Sequence, residues 1–258
     1  MSSGVLGVFE TIGAGVRHTG GLAVVTVRAI RALRHLDRRE FVRSLVRFGY
    51  DSLPLGALVA VFTGGILVIL ADLNVARYGA RAVVGWAAGY TVLQEFAPLF
   101  TALVLTGRVG ARNAAELASM NIGGQLEGLR GVGVDPFALL VAPRVAASTV
   151  GVGLLGVVCA LVAVIFSAIF GKLMLDIDIG MFFRSFEELL SWGDLFICIV
   201  KTMVFGAIIA LVSTRAGLGA RGGAQAVGRA AASSVVSASA VLVAVDWVLT
   251  VLLHKVLG

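Results

Sequence analysis

The sequence has little charge for its length. Asp, Glu, Lys and Arg make up 14% of its 258 residues, whereas they make up about 25% of an ordinary soluble domain. Hydrophobic residues reach 59%, and the mean hydropathy is +0.99. Too few charged residues are present to cover a water-exposed surface. The composition therefore excludes a soluble domain and indicates an integral membrane protein.

Cysteine and histidine are also scarce. Cys159 and Cys198 both lie inside apolar segments and lack the paired spacing of metal ligands, and the three histidines are scattered along the chain. Buried free thiols are the expected state of the two cysteines. We therefore expect no metal site and no cofactor bound by this chain.

Glycine patterns of nucleotide-binding proteins are absent or out of place. The phosphate-loop pattern GxxxxGK[ST] does not occur, so the chain cannot hydrolyse ATP by that route. The pattern GxGxxG occurs at 151–156 and 217–222, but neither copy follows a strand, so neither indicates a dinucleotide site. In the first copy, Gly151, Gly153 and Gly156 would instead let a neighbouring helix approach closely. The chain is not predicted to be an enzyme.

Five apolar stretches are long enough to cross a bilayer, which takes a helix of about 20 residues. They are roughly 53–71, 84–106, 138–170, 193–214 and 234–253. They predict an all-α integral membrane protein with five transmembrane helices in a domain at 51–258. The preceding arm, 1–50, carries eight arginines among regularly spaced apolar residues. We interpret it as amphipathic helix lying in the headgroup layer, with a solvated cytoplasmic helix pair as the alternative.

The orientation follows from the Lys and Arg residues between the spans. Fifteen of the 21 basic residues lie in the arm, between the second and third spans, or between the fourth and fifth. The loop at 171–192, on the other side, is acidic. The positive-inside rule therefore predicts a cytoplasmic N-terminus and a periplasmic C-terminus.

Three ionisable residues fall within the spans: Glu95, Lys201 and Asp246. Each costs about 2.5–3.5 kcal/mol at a helix centre, so each is expected to face protein or a hydrated cavity. Pro98 has no N–H and leaves a carbonyl free one turn earlier, beside Glu95. Lys201 is the candidate partner of Glu95. Alternatively, Lys201 and Asp246 reach a headgroup layer and Glu95 only stabilises helix packing.

A polar segment at 107–144 separates the second and third spans and is predicted as a structured loop. It contains the run GRVGARNAAELASM, then QLEGLRGVGVDP, then PRVAA, and a later run reads KTMVFGAIIALVSTRAGLGARGGAQAVGRAAASSVV. Together these runs resemble the MlaE/YrbE permeases, the membrane subunits of ABC transporters that work with MCE proteins on lipids. The likeness covers roughly residues 95–250.

The resemblance implies a homodimeric permease in the bacterial inner membrane, with an interfacial helix and five spans per subunit. It also implies a separate ATPase that binds ATP, and an MCE assembly across the membrane that exchanges phospholipid or a related lipid. A coupling helix within 107–137 would contact the ATPase. The expected lipid-pathway residues are Glu95, Phe96, Pro98, Lys201 and Asp246, and the expected coupling residues are Arg108, Arg112, Glu116, Gln125, Glu127, Gly133, Asp135 and Pro136.

The sequence departs from the family pattern at one position of the coupling segment. Relatives usually carry an acid where this chain has Gly124, and an alanine where it has Gly128. Glycine costs about 1 kcal/mol against alanine inside a helix, so a less rigid coupling helix is expected.

Two rival functions are compatible with the residues. A secondary transporter could move protons through Glu95, Lys201 and Asp246, although five spans show no evident internal repeat. The second rival function is a scaffold that anchors partner proteins and transports nothing. The glycine at position 124 is the best argument for it.

Overall fold

The computed structural model describes residues 24–33, 37–75 and 81–257, and these are almost entirely helical, with no strand among them. In chain order the α-helices are α1 Arg38–Phe48, α2 Leu53–Val75, α3 Val84–Thr91, α4 Ala97–Leu105, α5 Ala111–Ile122, α6 Gln125–Gly131, α7 Ala142–Leu175, α8 Ile179–Leu189, α9 Trp192–Leu218 and α10 Ala224–Leu257. Short 3₁₀ turns occupy Tyr50–Ser52 and Arg81–Val83, and π-helical turns occupy Val92–Phe96, Thr106–Gly110 and Phe137–Val141.

Within the described residues, five helical stretches are long and apolar enough to cross a membrane. They are Arg38–Val75, Val84–Ile122, Phe137–Leu175, Trp192–Leu218 and Ala224–Leu253. Each contains one of the five predicted spans, which confirms the all-α membrane fold. The structure therefore defines a multi-pass membrane protein.

The second span is longer than its apolar sequence. Helix continues through α3, α4 and α5 as far as Ile122, with two π-helical turns inside it. The polar segment predicted as a loop from 107 is thus mostly helix, because its residues 111–122 pack against α9 and α10. After the turn at Gly123 and Gly124, α6 forms the short helix between the second and third spans.

Close helix contacts at glycines hold the spans together. A Cβ at Gly156 of α7 would overlap Thr202 of α9, and one at Gly153 would lie 2.7 Å from Met203. A Cβ at Gly151 would lie 3.4 Å from Leu45 of α1, which is an ordinary van der Waals contact. The predicted close approach is therefore confirmed at Gly153 and Gly156. These contacts place α7 against both the N-terminal arm and α9.

Only part of the N-terminal arm is described. Residues 24–32 are helical, and α1 continues through a 3₁₀ turn into α2. The arm's residues 1–23 and 34–36 lie outside the described residues, as does Arg77 of the outer loop. The position of the arm in the headgroup layer stays a prediction.

Candidate functional site

Lys201 of α9 is the centre of a polar cluster among the apolar spans. Its side chain is fully buried, and Nζ donates to the carbonyl oxygen of Gln94 and to Thr250 Oγ1, both at 2.8 Å. Nζ also lies 3.0 Å from Glu95 Oε1 and 3.1 Å from Asp246 Oδ1. The structure thus brings together the three predicted intramembrane charges and places Lys201 inside the protein.

The carbonyl of Gln94 is available because Pro98 follows it by four residues. In a regular helix this carbonyl would accept from the N–H of residue 98, which proline lacks. The chain is also π-helical at Val92–Phe96, where Ala97 donates to the carbonyl of Val92. Turns of this kind occur often at functional sites. The freed acceptor expected near Glu95 is therefore present, and Lys201 takes it.

Thr250 joins the Glu95 carboxylate to the backbone of α10. Its hydroxyl lies 2.9 Å from Glu95 Oε1 and 2.9 Å from the carbonyl oxygen of Asp246, one turn earlier in α10. Two carboxylates share one ammonium, so the ionised cluster has a net negative charge. Removing Lys201 would leave both acids without a cation, and breaking one partner out of a buried ion pair costs about 3–5 kcal/mol.

A cavity of about 350 Å³ opens beside the cluster. Glu95 and Thr250 line it, together with Gln94, Tyr90 and Asp194. Lys201 and Asp246 are not among its lining residues, and the Glu95 side chain keeps 35% of its surface exposed while Asp246 keeps 11%. Glu95 is therefore the member of the charge cluster that faces the cavity.

The opposite wall of the cavity is fixed by the start of α9. Ser191 caps this helix, and the Asp194 carboxylate accepts from the Ser191 N–H at 2.8 Å. The other Asp194 oxygen accepts from Gln94 Nε2 at 2.6 Å. The lining residues include two carboxylates and no Lys or Arg. The cavity is thus acidic, mostly apolar elsewhere, and suited to a group with a cationic end.

The remaining two predicted pathway residues follow Glu95 in the second span and are not among the residues that line this cavity. Phe96 is half-buried and stacks on Phe100, with ring centroids 5.2 Å apart. Pro98 is buried in the first turn of α4.

Most predicted coupling residues lie on the surface, some in or just after α6 and two, Arg108 and Arg112, at or just before the start of α5. The exposed ones are Arg108, Arg112, Gln125, Glu127, Gly133 and Asp135, whereas Pro136 is buried. The Asp135 carboxylate accepts from the Phe137 N–H at 3.0 Å and so fixes the entry into the third span. A groove of about 430 Å³ runs beside this surface, lined by Met120, Gln125, Leu126, Gly128, Leu129, Val132 and Leu140.

The backbone explains the departure at Gly124. This residue has φ = 72° and immediately precedes α6. Side chains rarely adopt this left-handed conformation, which costs an ordinary residue about 1–2 kcal/mol. Glycine is therefore what this turn requires, and the missing acid follows from the turn between α5 and α6.

Glu116, predicted as a coupling residue, is held within the chain by three arginines. Its carboxylate lies 3.3 Å from Arg47 of α1, 3.0 Å from Arg112 Nε of its own helix, and 3.3 Å from Arg144 of α7. Glu116 thus joins three helices at the cytoplasmic end of the fold as the sequence orients it.

A buried hydrogen-bond chain extends this junction to the fourth span. Arg144 is buried and donates to Asn113 Oδ1 at 2.8 Å, and Asn113 Nδ2 donates to Ser213 Oγ at 2.7 Å. The sequence predicted no structural role for Arg144, Asn113 or Thr250. The four-residue spacing of Asp246 and Thr250 was the available signal, because it places both on one helix face.

The fold defines a multi-pass α-helical membrane protein with a cluster of charges between its spans. A family model described as permease MlaE matches residues 41–252. The chain belongs to the MlaE permease family, which confirms the resemblance seen in its sequence runs.

Three relatives illustrate the range of this similarity. A probable ABC transporter permease protein of Rickettsia conorii is 30% identical over 83% of each chain. One from Synechocystis sp. is 30% identical over 78% of this chain and 77% of its own. The chloroplast protein TRIGALACTOSYLDIACYLGLYCEROL 1 of Arabidopsis thaliana is 31% identical over 88% of this chain and 64% of its own.

Proposed function

We propose that this permease moves phospholipid or a related lipid between the inner membrane and an MCE protein assembly, driven by ATP on a separate subunit. The observation that carries the proposal is the acidic cavity beside the Lys201 cluster, inside a member of the MlaE permease family. The relative from Arabidopsis carries the name of a lipid, which supports the substrate class.

Glu95 contributes the cavity charge that a lipid headgroup would meet. Its carboxylate is paired with Lys201 on one side and open to the cavity on the other. A headgroup with an ammonium would offset the remaining negative charge of the cluster, while the apolar span surfaces would accommodate acyl chains. Phe96 and Pro98 set the backbone beside Glu95, and Asp246 shares the Lys201 ammonium with it, so these residues act on Glu95 rather than on the headgroup.

The long second span provides a mechanical connection to the ATPase. Glu95 and the end of α5 lie on one helix, roughly 40 Å apart at 1.5 Å per residue. ATPase closure would press on α6 and α5, and the two π-helical turns in this span are where its register could shift. Arg108, Arg112, Gln125, Glu127 and Asp135 are exposed on the proposed ATPase-facing surface. Gly133 and Pro136 shape the turn into the third span.

The assembly is proposed to be a homodimer with the N-terminus in the cytoplasm and the C-terminus in the periplasm. The exposure of the fifth span supports a partner subunit. Only 17% of its apolar segment is buried within the chain, whereas 33–56% is buried in the other four spans. The basic residues at the end near α6 support the orientation. No cofactor is assigned to this chain, and ATP belongs to the ATPase.

Reconstitution of the complex in vesicles tests the proposal. ATP should drive movement of a labelled phospholipid, and a non-hydrolysable ATP analogue should not. A buried Lys with two carboxylates also suits proton coupling. Movement driven by a proton gradient without ATP would establish that second function, and no movement under either condition would leave a scaffold.

A further inference from the structure

A second polar cleft lies between the end of α9 and the first half of α10. Its volume is about 250 Å³, and its lining residues are Val212, Arg215, Ala216, Gly219, Ser233 and Ser237. We propose that this cleft binds a phosphate group, supplied by an anionic lipid of the leaflet on that side. The proposal goes beyond the transport function and rests only on the membrane embedding of the spans.

The chemistry of the lining favours an anion. Arg215 already has a partner within the protein, but its planar guanidinium has five N–H donors and can also bind phosphate oxygens, and two serine hydroxyls of α10 line the same cleft. The Ser233 hydroxyl donates to the Ala230 carbonyl at 3.1 Å, and a rotation about χ1 would exchange that acceptor for a phosphate oxygen. The cleft therefore combines one cation with two adaptable donors.

The surrounding sequence adds no negative charge. No Asp or Glu occurs between Asp194 and Asp246, whereas Arg215, Arg221 and Arg229 all fall in this stretch. Arg229 is exposed and stands one helical turn before Ser233, which stands one turn before Ser237. These three share one face of α10, so a second cation lies one turn from a serine that lines the cleft.

The depth of the cleft matches that of lipid phosphates. Arg215 directly follows the fourth apolar stretch, 193–214, and Ser233 directly precedes the fifth, 234–253. These positions mark the boundary between hydrocarbon and headgroups, where lipid phosphates lie. Arg215 is also about 21 Å along α9 from Lys201 at 1.5 Å per residue, so the cleft is separate from the transport cavity.

Native mass spectrometry of the intact complex tests the site with three probes: phosphatidylglycerol, phosphatidylcholine and inorganic phosphate. Phosphatidylglycerol should be retained preferentially, and Arg215→Gln should lower its retention about tenfold, as expected for loss of one charge-assisted hydrogen bond. Arg215→Lys should lower lipid retention less, because lysine keeps the positive charge although it lacks the paired N–H donors of the guanidinium. Arg221→Gln is the matched control, since it removes the same charge from the loop after α9 without lining the cleft.

The outcomes separate the sources of the phosphate. Retention of inorganic phosphate with the same dependence on Arg215 supports the site and assigns it a soluble ligand. Equal effects of Arg215→Gln and Arg221→Gln would mean general attraction to the basic surface and would overturn the proposal. If Arg215→Gln does not fold, the double change Ser233→Ala and Ser237→Ala carries the test, and unchanged lipid retention there would also overturn it.

Discussion

The buried ammonium of Lys201 donates to the backbone carbonyl of Gln94 over 2.8 Å. This bond ties the fourth span to the second at the residue where Pro98 interrupts the regular helix hydrogen bonding. It also holds Glu95, the next residue, with its carboxylate 3.0 Å from the same ammonium. The interrupted helix and the buried ion pair therefore lie at the same position of the second span, at Gln94 and Glu95.

Lys201→Met is expected to destabilise the complex by about 3–5 kcal/mol, because it leaves the buried Asp246 without its cation and removes the partner of Glu95. Adding Glu95→Gln and Asp246→Asn should recover part of the loss, since no unpaired charge then remains. Thermal unfolding of the detergent-purified complex measures both. A triple variant less stable than Lys201→Met would contradict the pairing.

Glu95→Gln keeps the shape of the side chain and removes its charge. If Glu95 contacts lipid, transport should fall by about tenfold, the equivalent of one charge-assisted hydrogen bond, while the melting temperature stays near that of the wild type. Lipid movement in vesicles and thermal unfolding are measured on the same preparation. Full transport by both Glu95→Gln and Glu95→Ala would show that the charge is dispensable.

Gly124→Ala should destabilise the turn before α6 by about 1–2 kcal/mol, because residue 124 has a left-handed backbone. Gly128→Ala is the matched control: it lies inside α6, its Cβ would meet nothing within 4 Å, and alanine should stabilise that helix by up to about 1 kcal/mol. Hydrogen exchange of residues 125–131 should change in opposite directions in the two variants. Parallel changes would refute this account of the turn.

Glu116 and Glu127 should have separable roles. Glu116→Gln leaves the buried Arg144 without its carboxylate, so it should lower stability by about 1–3 kcal/mol. Glu127→Lys changes an exposed residue of α6, so the folded complex should persist while co-purification of the ATPase decreases. Unchanged ATPase recovery with Glu127→Lys, in a properly folded sample, would remove Glu127 from the interface.

The orientation can be tested with single cysteines in a background lacking Cys159 and Cys198. Ser119 and Glu188 are both exposed and flank the third span on opposite sides. A membrane-impermeant thiol reagent should label Ser119→Cys only from the cytoplasmic face and Glu188→Cys only from the periplasmic face. Labelling of both from one face is incompatible with five spans.

The sequence was sufficient for the fold class, the five spans and the family. Apolar stretches of bilayer length specify helices because lipid offers the backbone no hydrogen-bond partners. The sequence runs around Arg112 and Glu127 were sufficient to recognise the family. The pairing of Glu95 with Lys201 was also foreseeable, since an acid and a base inside one membrane domain are costly apart.

Other features depended on the tertiary structure. Asp246 and Thr250 join the cluster because the second, fourth and fifth spans pack together with these residues at the same depth. No local sequence pattern specifies that packing. Glu116 was expected to be a coupling residue, and only the structure shows that three arginines from three helices surround its carboxylate. Gly124 looked like a missing acid until its backbone angle was known. Local sequence determines where helices form and how they cross the membrane, whereas the packing of distant segments determines which polar groups meet.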